Sequence, residues 1–325
     1  MNQSARDVAN AIRARDSFIL TSHARPDGDA VGSALALALA LDTLGKRTTV
    51  VLRDPVPQPY LTFPATERVV VTDRISAPAD AAILLECSER ERPGIAGFDQ
   101  LFLINIDHHL GNTMYGSVNW FDPTAAACGE QVADVIDELG VAWTPAIAAH
   151  LYLAIATDTG SFRYGPISSR TFAACQRIVD AGVSTAQLSR QIFDSFTIGR
   201  VKLMGAILNG MELHHGNRLA ILTFDDQLLT ACGASADDTE GLVNLPLGAR
   251  EVVAVALIKR QDDRTFRLSL RSKGPVDVRQ VAATWQGGGH TNAAGCTVTG
   301  ELAELKAALI LAMARAIDVS TERPA

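Results

Sequence analysis

The sequence lacks several features that would assign it to particular classes of protein. Its five cysteines are scattered without a C-x-x-C pair, which is typical of a reducing cytosol rather than of a disulfide framework. The longest apolar stretch, SALALALALDTL, is too short and too quickly interrupted to span a bilayer. The first residues, MNQSARDVANAIRARDSF, contain no apolar core of the kind that a secretory signal needs. We therefore expect a cytoplasmic protein that does not associate with membranes.

An excess of positive charge is also missing. The formal net charge is −7, whereas affinity for a long nucleic acid depends on many contacts between Lys or Arg and phosphates. The composition therefore argues against binding of long duplexes, but it is compatible with a small anionic ligand held at one site. The chain contains no repeats, no low-complexity tract and no G-K-[ST] sequence that would indicate a P-loop.

The hydrophobic patterning predicts an α/β protein with two domains. A length of 325 residues is more than one core usually organises. In the first half, short aliphatic runs alternate with helical patterns, which favours a mainly parallel sheet with helices on both faces. Strands are predicted over 17–22, 47–52, 81–86 and 101–106, and helices over 29–45 and in AAACGEQVADVIDELG, PAIAAHLYLAIATD, SSRTFAACQRIVDAG and STAQLSRQIFDS.

The pattern changes after about residue 195. One long helix, TIGRVKLMGAILNGMELHH, is predicted as a connector over 196–216. Runs that alternate like antiparallel strands follow, so we predict a smaller α/β domain with a mixed or antiparallel sheet. These runs are RLAILTF, EVVAVALIKR and TFRLSLRS, followed by the helix ELAELKAALILAMARAI. The predicted domains are thus residues 1–195 and 217–320, on either side of the connector.

Acidic and imidazole side chains follow the apolar runs of the first domain. His23, Asp27 and Asp29 follow the first run, Glu86 the next, Asp107, His108 and His109 a third, and Asp158 ends the run YLAIAT. Because the carboxyl ends of parallel strands share one edge of a sheet, where ligands bind, these segments are expected to meet in one crevice. Each segment also has a simpler explanation, since Asp29 could be a helix N-cap and DHH a polar turn. The three remaining histidines outside the glycine loop, His150, His214 and His215, are interpreted as structural or solvent-facing.

Several carboxylates in one crevice would repel one another unless cations compensated them. Carboxylate and imidazole ligands without a thiolate group suit Mn²⁺ best, with Mg²⁺, Co²⁺, Fe²⁺ or Zn²⁺ as alternatives. The number of ligands exceeds what one metal needs, which favours two ions about 3.5–4 Å apart. Such a pair activates water for attack at phosphorus.

A glycine-rich segment marks the second domain. In TWQGGGHTNAAGCTV, the glycines Gly287, Gly288 and Gly289 would let the backbone approach a ligand and form a nest of amide groups for an anion. NAAG is expected to begin a short helix that favours phosphate. The polar side chains expected around this anion are Arg271, Ser272, His290 and Asn292. A plain hairpin turn is the alternative.

Together, these segments resemble the motifs of the DHH–DHHA1 phosphoesterases over nearly the whole chain. The matching segments are HARPDGDAVGS, LECSER, NIDHH, ATDTGSF and GGGHTNAAG, in the family's order. The resemblance implies a first metal bound by His23 and Asp27, and a second bound by Asp29, His108 and Asp158. The second motif usually presents Asp, so Glu86 departs from the pattern, and we expect it to bridge the metals with altered spacing. Asp80 begins the same strand but at its other end.

The resemblance also implies the remaining roles. His109 would contact the scissile phosphate, Asp107 would orient both imidazoles, and Arg271 with the glycine loop would hold the far end of the substrate. The expected activity is Mn²⁺-dependent hydrolysis of short oligonucleotides or pAp, and the family also makes a homodimer plausible. Alternatives are a cyclic or linear dinucleotide phosphodiesterase, a type-II-like pyrophosphatase, and a nucleotide sensor that Glu86 has made inactive. Hydrolysis of pyrophosphate alone would indicate the pyrophosphatase, and nucleotide binding without turnover would indicate the sensor.

Overall fold

A parallel sheet organises the first part of the chain. The computed structural model describes residues 3–321, except for the side chains of His290 and Thr321. Contacts between residues divide the chain into two units that meet between Ser195 and Phe196. The strands of the first sheet are β1 (Ser17–Thr21), β2 (Arg47–Leu52), β3 (Val70–Val71), β4 (Ala81–Leu85), β5 (Phe102–Asp107) and β6 (Val118–Phe121).

The strand order of this sheet is β3-β2-β1-β4-β5-β6, and all neighbours pair in parallel. The chain builds outward from β1 in one direction and from β4 in the other. The carboxyl ends of these two adjacent strands therefore lie where the order reverses, which is where open α/β sheets bind ligands. The parallel sheet of the first domain is confirmed. The short strands β3 and β6 were not predicted.

Helices pack on one face of the first sheet. They are α1 (Ala5–Arg13), α2 (Gly28–Thr43), α3 (Cys128–Glu138), α4 (Pro145–Asp158), α5 (Ser169–Asp180) and α6 (Thr185–Phe193). The helices α2 and α4 are apolar around most of their circumference, and both are buried. On the opposite face, Ile19, Leu84 and Leu103 pack with Ile95 and Phe98 from connecting segments. In this detail the fold differs from the prediction of helices on both faces.

The second unit contains a mixed sheet with the order β11-β12-β10-β9-β8-β7. Helical segments pack on both of its faces and create two apolar clusters. Within residues 3–321, no helix combines the length and apolar character needed to cross a membrane. The elements are α7 (Ile198–Asn209), β7 (Glu212–His214), β8 (Leu219–Phe224), α8 (Asp226–Cys232), β9 (Ala254–Arg260), β10 (Thr265–Ser272), α9 (Val278–Ala283), β11 (Gly288–His290), β12 (Ala293–Thr299) and α10 (Leu302–Thr321).

The mixed sheet predicted for the second unit is confirmed, whereas the extent of the predicted connector helix is wrong. The connector helix predicted over 196–216 ends at Asn209, where Gly210 follows, and the next residues form β7. Strands β8 and β9 pair in parallel rather than antiparallel, because α8 and the 3-10 helix Leu242–Gly248 lie in the connection between them. The pairs β9–β10 and β10–β12 are antiparallel as expected.

Candidate active site

The loop after β1 holds His23 against Asp27. Asp27 is the N-cap of α2, and its Oδ1 accepts a hydrogen bond from the Ala30 amide at 2.9 Å. Its Oδ2 lies 3.6 Å from His23 Nε2. His23 Nδ1 lies 3.0 Å from the Ala24 carbonyl oxygen, which can only accept, so Nδ1 carries a proton and Nε2 is the nitrogen that faces Asp27. The capping residue is therefore Asp27, not Asp29.

Asp29 joins two helices at the base of the site. Its side chain is 1% exposed. Its Oδ1 accepts hydrogen bonds from Ser33 Oγ at 2.7 Å and the Gly129 amide at 3.0 Å, and its Oδ2 accepts one from the Cys128 amide at 2.7 Å. The first amides of α3 thus bind this carboxylate as a helix N-terminus binds an anion. Burial raises the pKa of Asp29.

Two glycines of α2 allow α4 to come close. A Cβ atom on Gly28 would lie 2.4 Å from Thr157 Oγ1, and one on Gly32 would lie 2.5 Å from the His150 carbonyl oxygen. This close packing brings Asp158, the residue after Thr157, to the loop that carries Asp27. Asp158 therefore reaches the site from the end of a helix, whereas the sequence argument grouped it with residues at the edge of the sheet.

Glu86 lies directly after β4 in a strained conformation. Its φ is 61°, a left-handed value that is unusual for a residue with a side chain. The side chain is 1% exposed, and its Oε1 has no hydrogen-bond partner. The nearest basic atoms are His108 Nε2 at 3.4 Å from Oε1 and His109 Nδ1 at 3.6 Å from Oε2. Burial and the charge of Asp29 raise the pKa of Glu86 well above its usual value.

His108 points one nitrogen at the carboxylates of the site. Its Nδ1 lies 3.0 Å from the Ala125 carbonyl oxygen, so this nitrogen carries a proton. Its Nε2 lies 3.4 Å from Glu86 Oε1 and 3.5 Å from Asp158 Oδ2. Burial lowers the pKa of His108, but the nearby Glu86 carboxylate and the other surrounding carboxylates raise it to about 11. In the absence of a cation, a proton on this ring compensates the negative charge.

His109 is oriented by a chain of buried polar groups. Its Nδ1 lies 2.9 Å from Asp107 Oδ1, and Asp107 Oδ2 accepts a hydrogen bond from Asn112 Nδ2 at 2.6 Å. Asn112 Nδ2 also donates to Asn105 Oδ1 at 2.8 Å. Asp107 therefore orients His109, whereas His108 is oriented by a backbone carbonyl, contrary to the expectation that Asp107 orients both rings. The roles of Asn105 and Asn112 were not predicted from the sequence, although Asn112 lies three residues after the DHH triplet.

The predicted acids and imidazoles form two overlapping groups. The possible ligand atoms of Glu86, His108 and His109 all lie within 4.8 Å of one another, and so do those of Asp29, His108 and Asp158. Burial and the charge of Asp29 raise the pKa of Asp158 to about 7. A buried carboxylate oxygen without a hydrogen-bond partner, beside an imidazole nitrogen and further carboxylates, is a set of groups that fits a divalent cation.

In the second unit, Arg271 is the candidate residue with a free charge. Its guanidinium donates to the Leu270 carbonyl oxygen and has no carboxylate partner among residues 3–321, and burial lowers its pKa. Ser272 and Asn292 instead stabilise a turn. Ser272 Oγ donates to the Val276 carbonyl oxygen at 2.6 Å, and Asn292 Nδ2 donates to Ser272 Oγ at 2.9 Å.

The glycine loop is part of a hairpin. Its residues form β11, an edge strand that pairs antiparallel with β12. The segment NAAG enters β12 and does not begin a helix, because Ala293 and Ala294 pair with β10. Only Gly289 of the three glycines has a positive φ, of 140°. The prediction that places the side chain of His290 at a ligand lies outside the described side chains.

The three other histidines have contacts away from the candidate site. His150 is fully buried on α4, and its Nε2 lies 2.7 Å from the Pro64 carbonyl oxygen. His214 lies beside Glu212, and His215 Nε2 lies 2.7 Å from Asp318 Oδ1. These contacts agree with structural or surface roles.

Protein-family models match parts of both units. The family model described as "DHH family, N-terminal domain" matches residues 17–155, and the DHHA1 domain model matches residues 225–317. Together the two matches cover more than half of the chain. The chain belongs to the DHH family and carries a DHHA1 domain.

Its relatives include proteins named bifunctional oligoribonuclease and PAP phosphatase NrnA. The chain is 33% identical to the protein of that name from Thermus thermophilus, over 92% of this chain and 89% of the relative. It is 26% identical to the Bacillus subtilis protein of the same name, over 90% of this chain and 92% of the relative.

Solved structures agree with the fold. An exopolyphosphatase-related protein from Bacteroides fragilis matches with a TM-score of 0.91 and 24% identity, covering 98% of each chain. RecJ from Thermus thermophilus, solved with Mn²⁺, matches with a TM-score of 0.53 and 13% identity, covering 96% of this chain and 55% of RecJ. At these identities the matches establish the fold alone.

Proposed function

We propose that this protein is a cytoplasmic, Mn²⁺-dependent phosphoesterase that hydrolyses short oligoribonucleotides and pAp. The observation that carries the proposal is the cluster around Glu86, where a buried carboxylate oxygen lacks a hydrogen-bond partner and lies 3.4 Å from His108 Nε2, close to further acids. The names of the relatives supply the substrate class. The five cysteines are all free, which agrees with a reducing compartment.

In this proposal two ions occupy the site. His23 and Asp27 would hold one ion, and Asp29, His108 and Asp158 the other, with Glu86 bridging. When bound, such a pair lowers the pKa of a water molecule and stabilises negative charge on a phosphate group. Carboxylate and imidazole ligands suit Mn²⁺, with Mg²⁺ or Co²⁺ as alternatives.

The residues around these ligands fix their orientation. The Ala125 carbonyl oxygen holds the His108 proton on Nδ1, which leaves the Nε2 lone pair for a cation. Asp107 holds His109 through Nδ1, so that Nε2 is available to a phosphate oxygen of the substrate. Partners of this kind typically change metal affinity or activity by about 10–100-fold when they are removed.

The second unit would contribute further groups that bind an anionic substrate. Arg271 offers a partly buried guanidinium that lacks a carboxylate partner within residues 3–321, and a phosphate or carboxylate ligand would satisfy it. A Cβ atom on Gly287 or Gly289 would collide with β12, at 2.4 Å in each case, whereas one on Gly288 would meet nothing within 4 Å. Packing therefore explains two of the glycines, and close approach of a ligand is our explanation for Gly288.

A side-by-side assay tests the proposed function. Purified protein with Mn²⁺ is given pAp, a linear dinucleotide, a cyclic dinucleotide and inorganic pyrophosphate, with H108A as the control for contaminating activity. We expect turnover of pAp and the linear dinucleotide by the wild type, and loss of both in the variant. Exclusive hydrolysis of pyrophosphate would replace the proposal with a pyrophosphatase. Tight nucleotide binding without turnover in Mn²⁺, Mg²⁺ or Co²⁺ would indicate a sensor.

A further inference from the structure

A tight left-handed turn begins two residues after Asp158. Gly160, Ser161 and Phe162 have φ values of 54°, 60° and 62°, so three consecutive residues adopt the left-handed conformation. Residues other than glycine pay roughly 1–2 kcal/mol each for this conformation. Such strain persists only where the surroundings impose it, and it is concentrated at functional sites.

Thr159 imposes the conformation of this turn. Its Oγ1 accepts a hydrogen bond from the Phe162 amide at 3.0 Å, and its carbonyl oxygen accepts bonds from the amides of Arg163 at 2.9 Å and Tyr164 at 3.0 Å. The Ser161 amide donates to the Ala156 carbonyl oxygen at 2.8 Å. The turn is therefore a fixed extension of α4 and presents the side chains that follow it in a defined direction.

The side chains near this turn include an unusual share of exposed aromatic rings. Tyr164 is 64% exposed and Phe172 is 58% exposed, and Phe172 stacks on Phe162 with ring centroids 5.8 Å apart. Within residues 3–321, only one other aromatic residue, Phe196, is among the exposed large apolar side chains. The guanidinium carbon of Arg200 lies 4.3 Å from the centre of the Phe196 ring. A ring as exposed as that of Tyr164 contributes little to the stability of the fold, because little of its apolar surface is buried.

Tyr164 is tied to the backbone beside the candidate metal site. A Cβ atom on Gly160 would lie 2.7 Å from Tyr164 Cδ2, so the ring lies against this glycine, two residues after Asp158. Arg163 Nε donates to the Gly160 carbonyl oxygen at 2.7 Å, and its guanidinium carbon lies 5.5 Å from the centre of the Tyr164 ring. Arg163 has no carboxylate partner among the described residues, so an aromatic face and a free cation lie together.

We propose that Tyr164 stacks on a nucleobase of the substrate and that Arg163 adds attraction for its phosphates. This inference rests on the proposed function, because it assumes that a nucleotide phosphate binds at Asp158 and its neighbours. Stacking on an aromatic ring contributes about 1–3 kcal/mol per base and tolerates any base. The ring would therefore give selectivity for nucleotides over phosphate esters without a base, while leaving the identity of the base open.

The test compares two substrates that differ only in the base. They are pAp and 1-deoxyribose 3,5-bisphosphate, each assayed with Mn²⁺ in the wild type, Y164L and Y164F. We expect Y164L to raise KM for pAp about ten-fold with little change in kcat, and Y164F to restore the wild-type value because it keeps the ring. KM for the base-free compound should be the same in all three proteins. F196L, which removes another exposed aromatic ring, should change neither substrate's KM.

Equal changes in KM for both substrates, or no change for pAp, would overturn the inference. The inference would also be overturned if Y164L kept the wild-type KM for pAp but lost self-association, measured by sedimentation. The ring would then be a contact between subunits. If the wild type hydrolyses neither compound, the proposed function fails, and calorimetric titration with AMP and ribose 5-phosphate decides the inference instead. Weaker binding of AMP alone by Y164L would support it, and equal binding by both proteins would contradict it.

Discussion

Glu86 combines several unfavourable features in one residue. It has a left-handed backbone, a fully buried carboxylate and an oxygen without a hydrogen-bond partner. Strain of this kind costs about 1–3 kcal/mol, and an unsatisfied buried polar atom costs a similar amount, about 1–3 kcal/mol. A residue that only served stability would not retain these costs, so we interpret Glu86 as a ligand whose stabilisation comes from a bound cation.

Replacing Glu86 with glutamine should separate stability from metal binding. Without added metal, E86Q should unfold at a temperature close to that of the wild type, because the amide keeps the shape of the carboxyl group, and burial and Asp29 already oppose a charge at this position. Mn²⁺ at 100 times its dissociation constant should stabilise the wild type by about 2.7 kcal/mol and the variant far less. Thermal unfolding with EDTA and with Mn²⁺ measures both effects. An undiminished response of E86Q to Mn²⁺ would show that Glu86 is not a ligand.

Asp107 should act through His109 rather than through the fold. In D107N the charge that holds His109 Nδ1 at 2.9 Å is lost, while a hydrogen-bonding oxygen remains. We expect turnover to fall about 10–100-fold, and we expect a lower unfolding midpoint because the new NH2 group replaces an oxygen that accepts from His109 or Asn112.

The matched control is D80N, at the opposite end of β4. Asp80 accepts hydrogen bonds from the backbone amides of Asp16 and Ser17 and from the Ser17 hydroxyl, and these contacts are remote from the candidate site. This variant should lose stability but keep its turnover number. A D107N protein with normal turnover would refute the orienting role of Asp107.

For individual residues, the sequence predicts which side chains can bind a cation better than it predicts the contacts that orient them. The residue types alone indicate which acids and imidazoles can bind a cation. They do not reveal that the Ala125 carbonyl orients His108, because any residue has a carbonyl group and only the folded backbone positions this one. The hydrogen bonds that the first amides of α3 donate to Asp29 could not be predicted for the same reason, since these residues are about 100 positions apart.

Among the elements, the contact between α2 and α4 depends on glycine. A methyl group at position 32 would lie 2.5 Å from the His150 carbonyl oxygen and 2.9 Å from the Ala154 amide nitrogen, both of which belong to helix backbone. G32A should therefore lower the free energy of unfolding by about 1–3 kcal/mol. Urea unfolding measures this loss.

Gly205 in α7 is the control for Gly32, since a Cβ atom there would meet nothing within 4 Å. G205A should raise the free energy of unfolding by about 0.5–1 kcal/mol, because alanine favours the helix over glycine. If the two variants changed stability in the same direction, the close contact at Gly32 would not be the cause.

The buried His150 on α4 should make stability depend on pH. Burial lowers its pKa to about 4 in the folded protein, against about 6.5 in an unfolded chain. The unfolded state therefore takes up a proton as the pH falls through 6.5, while the folded state does so only near pH 4, and stability is lost between these values. The expected loss is about 3 kcal/mol in total.

H150Q isolates this contribution, because glutamine can still donate to the Pro64 carbonyl oxygen but does not titrate. Urea unfolding of both proteins at pH 7 and pH 5 gives the comparison. The wild type should lose more stability than the variant over this interval. Parallel losses in the two proteins would mean that His150 makes no contribution.

The elements were predicted where local patterns decide them. The aliphatic strands β1, β4 and β5 stand out because they are buried on both faces along almost their whole length. The segment after Asn209 and the segment NAAG were assigned to helices in error, because β7 and β12 are stabilised by pairing with strands distant in sequence or by a hairpin that the pattern did not reveal.

For the whole molecule, length and the change of pattern near residue 195 predict two domains, and the residues up to Ser195 and those from Phe196 form two compact units. The strand order was not predictable, because it depends on long-range packing that no local pattern records. The candidate metal ligands all belong to the first unit, while Arg271 and the glycine loop belong to the second. A negative net charge and a few focused cationic groups suit short anionic substrates better than long duplexes.

The central claim is that this protein needs bound divalent ions to hydrolyse short oligoribonucleotides and pAp. The most direct measurement is the turnover of a linear dinucleotide and of pAp by metal-stripped protein, before and after titration with Mn²⁺. We predict no turnover in EDTA, recovery on addition of Mn²⁺, and saturation at two ions per chain by equilibrium dialysis. Turnover that persists in EDTA, or full occupancy by Mn²⁺ without hydrolysis of either substrate, would contradict the account.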